Sequence, residues 1–140
     1  MPLVVLDTNV LIAAVRSRRG ASFQVLSRLG TAAFDIAVSV PLVLEYEDAL
    51  VRHLPETALG AEDIEGILDY VCQVAKHQDI YFLWRPLLRD PKDDLVAEVA
   101  VASGSDAIVT YNRRDFAGVE RFGMRIIEPI ELLRDIGARP

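Results

Sequence analysis

One cysteine, two histidines and a shortage of positive charge narrow the chemistry open to this 140-residue chain. Cys72 stands alone, so no disulfide can form within the chain and no Cys/His cluster can bind zinc. It lies in a stretch of helical periodicity and reads as a small buried hydrophobe. His53 and His77 read as surface or packing residues. No apolar run approaches the ~18 residues that a membrane span requires. No basic segment precedes an apolar core at the start, so a secretory signal is not expected and the cytoplasm is the expected compartment. Linkers, repeats and low-complexity tracts are also missing, which predicts a single domain over 1–140. With 15 Lys and Arg against 21 Asp and Glu, the net charge is −6. Bulk attraction to phosphates is thereby disfavoured, unless several carboxylates converge on a divalent cation whose charge then dominates locally.

What is present begins with Leu3-Val4-Val5-Leu6, an apolar run without alternation that suits a strand buried on both faces. It stops at Asp7-Thr8-Asn9, where a strand would end and a helix begin. In open α/β sheets that edge is where ligands bind. Helices are predicted over 9–16, 22–29, 41–54, 61–76 and 94–103, with a last one starting near Pro129. Strands are predicted at 36–39, 80–83 and 107–110, and an edge strand at 125–127. Strands separated by helical segments imply parallel crossovers. The expected fold is α/β: a three-layer α/β/α sandwich around a mostly parallel, five-stranded sheet. Its hydrophobic content of 51% can supply the core.

Most of the 21 acids must be solvated, so the candidates need sorting. In Asp90-Pro91-Lys92-Asp93-Asp94, Pro91 suits the first helical position, Asp90 the N-cap and Asp93 the acid of a capping box. Asp94 is left without such a task and begins a run of small and apolar residues to Ala102, so it and Glu98 point into confined space. A buried carboxylate needs a cationic partner, which an arginine can also supply. In the helix after Pro41, Glu45 and Glu47 lie on opposite margins of the stripe Leu42, Val43, Tyr46, Ala49, Leu50, and periodicity does not choose between them. The strand 107–110 repeats the opening theme: it runs into Thr110-Tyr111-Asn112-Arg113-Arg114-Asp115-Phe116. If it lies parallel to the first strand, Asp7, Asn9, Thr110, Asn112 and Asp115 converge at one rim. Turn formation would also account for Asn112 and Asp115.

Four segments in this order resemble the PIN-domain family, especially the VapC-like toxins of bacterial toxin–antitoxin pairs. They are the strand into Asp7-Thr8-Asn9, the stretch from Ser39 to Glu45, Asp94 before an alanine-rich helix, and Ile108 to Phe116. The resemblance implies Asp7, Glu45, Asp94 and Asp115 around one or two Mg²⁺ or Mn²⁺ ions, and it favours Glu45 over Glu47. Thr8, Asn9, Ser39, Thr110 and Asn112 would support the site, Asn112 standing where many relatives carry an acid. Arg113 and Arg114, with the Arg16 to Arg19 patch, would guide the substrate backbone.

The activity so implied is a metal-dependent endoribonuclease acting on RNA, with a cognate antitoxin as partner and a homodimer as the expected assembly. Oxygen-only ligands favour Mg²⁺ or Mn²⁺ over Zn²⁺. A bound ion would lower the pKa of its water and offset the mutual repulsion of the acids. Two alternatives remain. One is a phosphatase or phosphotransfer domain with a carboxylate metal pocket, although Asn9 stands where an aspartate-nucleophile phosphatase usually has its second Asp. The other is a degenerate PIN-like module that only binds.

Overall fold

A computed structural model describes residues 1–80 and 88–137. Strands β1 (Leu3–Leu6), β2 (Asp35–Val38), β3 (Lys76–His77), β4 (Ala107–Val109) and β5 (Arg125–Ile127) form one sheet in the order β3-β2-β1-β4-β5, every pairing parallel. Helices α1 (Thr8–Arg16), α2 (Ala21–Ser27), α3 (Val40–Arg52), α4 (Ala61–Val74), α5 (Pro91–Ser103) and α6 (Pro129–Asp135) cover it. Short 3₁₀ turns lie at Leu54–Glu56, Arg113–Phe116 and Val119–Phe122.

The central strand is the most apolar one. Val4, Val5 and Leu6 are all buried, as a strand with neighbours on both edges and helices on both faces must be. From β1 the chain moves outward through β2 to β3, then returns past β1 to β4 and β5 on the other side. β1 and β4 are therefore adjacent strands whose outgoing connections diverge. The crevice at their carboxyl ends is the switch point of the sheet. α5 packs on β1, β2 and β4, and its buried Val96, Ala97, Val99 and Ala100 explain the lack of an amphipathic pattern there. Asp90 caps it by accepting from Lys92 N at 2.9 Å, Pro91 opens it, and Gly104 closes it at φ 65°, a left-handed turn suited to glycine.

The expected strand at 80–83 is corrected in its described part. Ile80 belongs to no regular element, and Tyr81, Phe82 and Leu83 lie outside the described residues. The third strand is Lys76–His77, paired with Ala37 and Val38. Both of its residues are exposed, so hydrophobic periodicity had nothing to detect at this polar edge. α4 accordingly ends at Val74 rather than at Lys76. α3 begins one residue early, at Val40, with Ser39 Oγ accepting from Leu42 N at 3.2 Å as its N-cap. The apolar faces of α4 and α6 are largely internal. Ile64, Leu68 and Val71 of α4, and Leu132 and Leu133 of α6, are buried in the core.

Candidate metal centre

Asp7 leaves β1 in an extended conformation and caps α1. Its Oδ1 accepts from Thr8 N at 2.8 Å, and its Oδ2 accepts from Thr110 Oγ1 at 2.7 Å. Thr110 comes from the end of β4, which pairs with β1 along its whole length. The same hydroxyl accepts from Asn112 N at 2.9 Å and from Asn9 Nδ2 at 3.4 Å. Asn9 Oδ1 in turn accepts from Tyr111 N at 3.4 Å. The parallel register thus ties the two polar strand ends into one network around Asp7. Beneath it, the buried Tyr46 of α3 donates its hydroxyl to the Leu6 carbonyl. Burial, with the nearby Asp7 charge, pushes the Tyr46 pKa far up, so the phenol stays a donor.

Asp7 is only 6% exposed. Burial raises its pKa; the hydrogen bonds from Thr110 and Thr8 oppose the rise, and the charge of Asp115 adds to it. Asp115 sits in the turn Arg113–Phe116, anchored by the fully buried Phe116. The third carboxylate of this neighbourhood is Asp93. Its pKa is pushed up to about 7, first by burial and then by the charges of Asp7, Asp115, Asp90 and Asp94. Asp93 and Asp115 line an open cleft of about 870 Å³ together with Leu88, Arg89, Asp90, Arg114 and Ala117.

Two sequence expectations change here. Asp93 lines the cleft with Asp115 and feels the charges of Asp7 and Asp115, although its sequence position suits a helix-capping task. Asp94, the expected third acid, is buried, and its Oδ1 accepts from Leu88 N at 2.8 Å. It fastens the segment entering α5 and does not line the cleft. Helical phase decides between the two acids, which differ by about 100° around the axis. The signal was available: Asp93 heads the row Asp93, Ala97, Ala100, whose alanines are wholly buried.

Glu45 faces the start of α5, with Lys92 Nζ at 3.7 Å and Arg52 at 3.5 Å from its Oε1. Glu47 lines a separate groove between α3 and α4. Ser39 serves as the cap of α3. Arg113 is committed to Glu128, at 3.2 Å, and to Glu131, whereas Arg114 lines the acidic cleft. Arg16 is likewise committed, to Glu56 and His53. Among the described residues, no three His, Cys, Asp or Glu side chains stand close enough to hold one ion as they are placed. No helix among them is long and apolar enough to cross a membrane.

A family model described as the PIN domain matches residues 3–114. Among solved structures, the chain is similar to that of VapBC2 from Rickettsia felis bound to a DNA fragment from their promoter. That alignment has a TM-score of 0.57 and 19% identity, and covers 90% of this chain and 97% of that one. It is also similar to FitAcB from Neisseria gonorrhoeae, with a TM-score of 0.50, 16% identity and coverage of 91% and 98%. At these identities the likeness is one of fold. No curated protein matches the chain by sequence.

Proposed function

The chain belongs to the PIN-domain family, and on that premise we propose that its acidic cleft is the divalent-metal site of an endoribonuclease, the toxin of a toxin–antitoxin pair. The observation that supports this most is the meeting of Asp7, Asp93 and Asp115, from three distant segments, at the switch point of the sheet. Asp93 takes the part that the resemblance gave to Asp94. Glu45 is kept as the fourth acid of this reading on the resemblance; in the structure it pairs with Lys92 at the start of α5 and with Arg52.

The donor set fits a hard cation. It is all carboxylate oxygen, and burial together with the charges of Asp7 and Asp115 raises the pKa of Asp93, a cost that a cation would offset. Mg²⁺ or Mn²⁺ bound there would supply Lewis acidity and an activated water. The protein supplies the rest. Thr110 and Thr8 hold the Asp7 carboxylate by fixed hydrogen bonds, the role of outer partners in metal sites. Arg114, on the cleft wall, offers a guanidinium to a phosphate.

RNA cleavage with Mn²⁺, with EDTA, and by Asp7→Asn and Asp93→Asn tests the reading. Loss of cleavage in EDTA and in both variants supports it; metal-independent cleavage or intact variants would sink it. One observation favours a second reading, a PIN-like module that binds without cutting: the acids do not close around a point as placed, and Glu45 is paired. Thermal stabilisation by Mn²⁺ separates the two, since a degenerate module would show none. Phosphate release from small phosphomonoesters would instead indicate a phosphatase. The antitoxin partner, a homodimeric assembly and a cytoplasmic location complete the proposal and are accessible by co-purification and light scattering.

A further inference from the structure

Next to the acidic cleft lies a second one of about 540 Å³, lined by Tyr111, Asn112, Arg113, Arg114, Asp115 and Glu128. The two clefts share Arg114 and Asp115. Tyr111 is the aromatic residue of this second cleft, and it is held unusually firmly. Its hydroxyl is 2.6 Å from Ser22 Oγ, on a side chain that is buried in α2. Its backbone N–H points to Asn9 Oδ1, and the preceding residue, Thr110, holds Asp7. Yet Tyr111 is 41% exposed. With the polar tip tied down, what remains open to solvent is mainly the apolar ring.

We propose that Tyr111 is a stacking platform for an unpaired nucleobase of the strand whose backbone lies across Arg114 and the acidic cleft. The inference rests on the nuclease reading of that cleft. Three features carry it. The ring is immobilised at both ends, so little rotamer entropy remains to be lost when a base settles on it. It stands one residue from the Asp7 network and shares a cleft with Arg114, so a stacked base and its phosphate meet ring and guanidinium together. An exposed aromatic beside cationic groups also matches how single strands are held without regard to sequence. The faces of a base inside a duplex are already stacked, which selects unpaired RNA.

The test uses a short single-stranded oligoribonucleotide carrying 2-aminopurine, whose emission is quenched by stacking, in the presence of Mn²⁺. Tyr111→Ala should raise KM by ~10- to 100-fold, consistent with the loss of one base–aromatic stack. It should lower kcat far less and abolish the quenching. Tyr111→Phe should recover most of the lost affinity, because the ring suffices. Ser22→Ala, which like Tyr111→Phe frees the ring without removing it, should resemble Tyr111→Phe. Circular dichroism confirms folding of each variant. Wild-type KM and quenching in Tyr111→Ala would overturn the platform, as would equal damage in Tyr111→Phe, which would assign the effect to the Ser22 tether. A wild type that quenches but does not cut keeps the platform and removes the nuclease. One that neither binds nor cuts overturns both.

Discussion

Two clusters of charge in this molecule are built from similar parts and balanced in opposite ways. In the first, Arg16 and His53 meet Glu56 across α1, the end of α3 and the following turn. The Arg16 bond, followed by that of His53, holds the Glu56 carboxyl below its usual range. In the second, Asp93, Asp7 and Asp115 gather at the switch point, and Asp93 is pushed up to about 7. The Arg16 cluster brings its own cations. In the acidic cleft Arg89 and Arg114 line the wall beside Asp90, Asp93 and Asp115, yet the Asp93 carboxyl stays raised, and the neighbouring Arg113 is taken up by Glu128 and Glu131. The charges of Asp7 and Asp115 help to raise the Asp93 pKa, an electrostatic cost that the Arg16 cluster does not carry. On the proposed metal-site reading, this is the imbalance that a bound cation would offset.

The sharpest way to break this contrast is to remove one acid of the cleft. Asp93→Asn or Asp7→Asn is expected to lower Mn²⁺-dependent RNA cleavage by at least about a hundredfold, the scale of losing one preorganised electrostatic contact in a transition state. Asp94→Asn should instead act on the fold. It weakens a buried bond to Leu88 N–H, costing about 1–3 kcal/mol, and shows as a lower denaturation midpoint with cleavage per folded molecule largely kept. If Asp94→Asn inactivates while Asp93→Asn does not, the assignment of the third acid reverts.

Next in size is Thr110→Val, which takes away the donor to Asp7 Oδ2 while keeping the side-chain volume. Metal affinity, followed by isothermal titration with Mn²⁺, is expected to fall by ~10- to 100-fold, as for other outer partners of metal ligands.

The pH dependence is milder. Asp93 has a native pKa above its value of 3.8 in an unfolded chain, and Asp7 is raised in the same direction. Between about pH 4 and pH 7 the native state therefore binds more protons than the unfolded state, and stability falls as pH rises. Metal-free protein should melt a few degrees higher at pH 5 than at pH 8, and Asp93→Asn should flatten the slope. Added Mn²⁺ should reverse the order, because protons compete with the ion for the same oxygens. A metal-free protein most stable at pH 8 would contradict the picture of crowded acids.

The smallest effect is expected in the balanced cluster. Glu56 and Arg16 are each about half exposed in their pairing, and exposed ion pairs are screened and entropically costly. Glu56→Gln should barely move the melting temperature and leave cleavage untouched. A large loss there would erase the distinction between the two clusters.

Much of this was legible in the chain. A run such as Leu3 to Leu6 has no amphipathic face, so it must be a central strand, and its abrupt stop at Asp7 announces a ligand edge. The all-round apolar character of α5 and the parallel partner at Ala107 to Val109 follow from the same reasoning. Lys76–His77 did not: an edge strand of two exposed residues is made by backbone pairing with β2 and carries no hydrophobic signature.

Composition and local pattern determined a doubly covered parallel sheet with acids at its rim, because burial demands apolar runs and strand ends collect polar residues. Only the folded chain decided which acids meet. Asp93 and Asp94 are equivalent as letters, and one helical step of rotation sends one carboxylate to Leu88 N–H and the other to the cleft, where it feels the charges of Asp7 and Asp115. In the same way Arg113 and Arg114 part company, one to Glu128 and the other to the cleft. Distance and direction between side chains far apart in sequence are fixed by packing, and no local pattern encodes them.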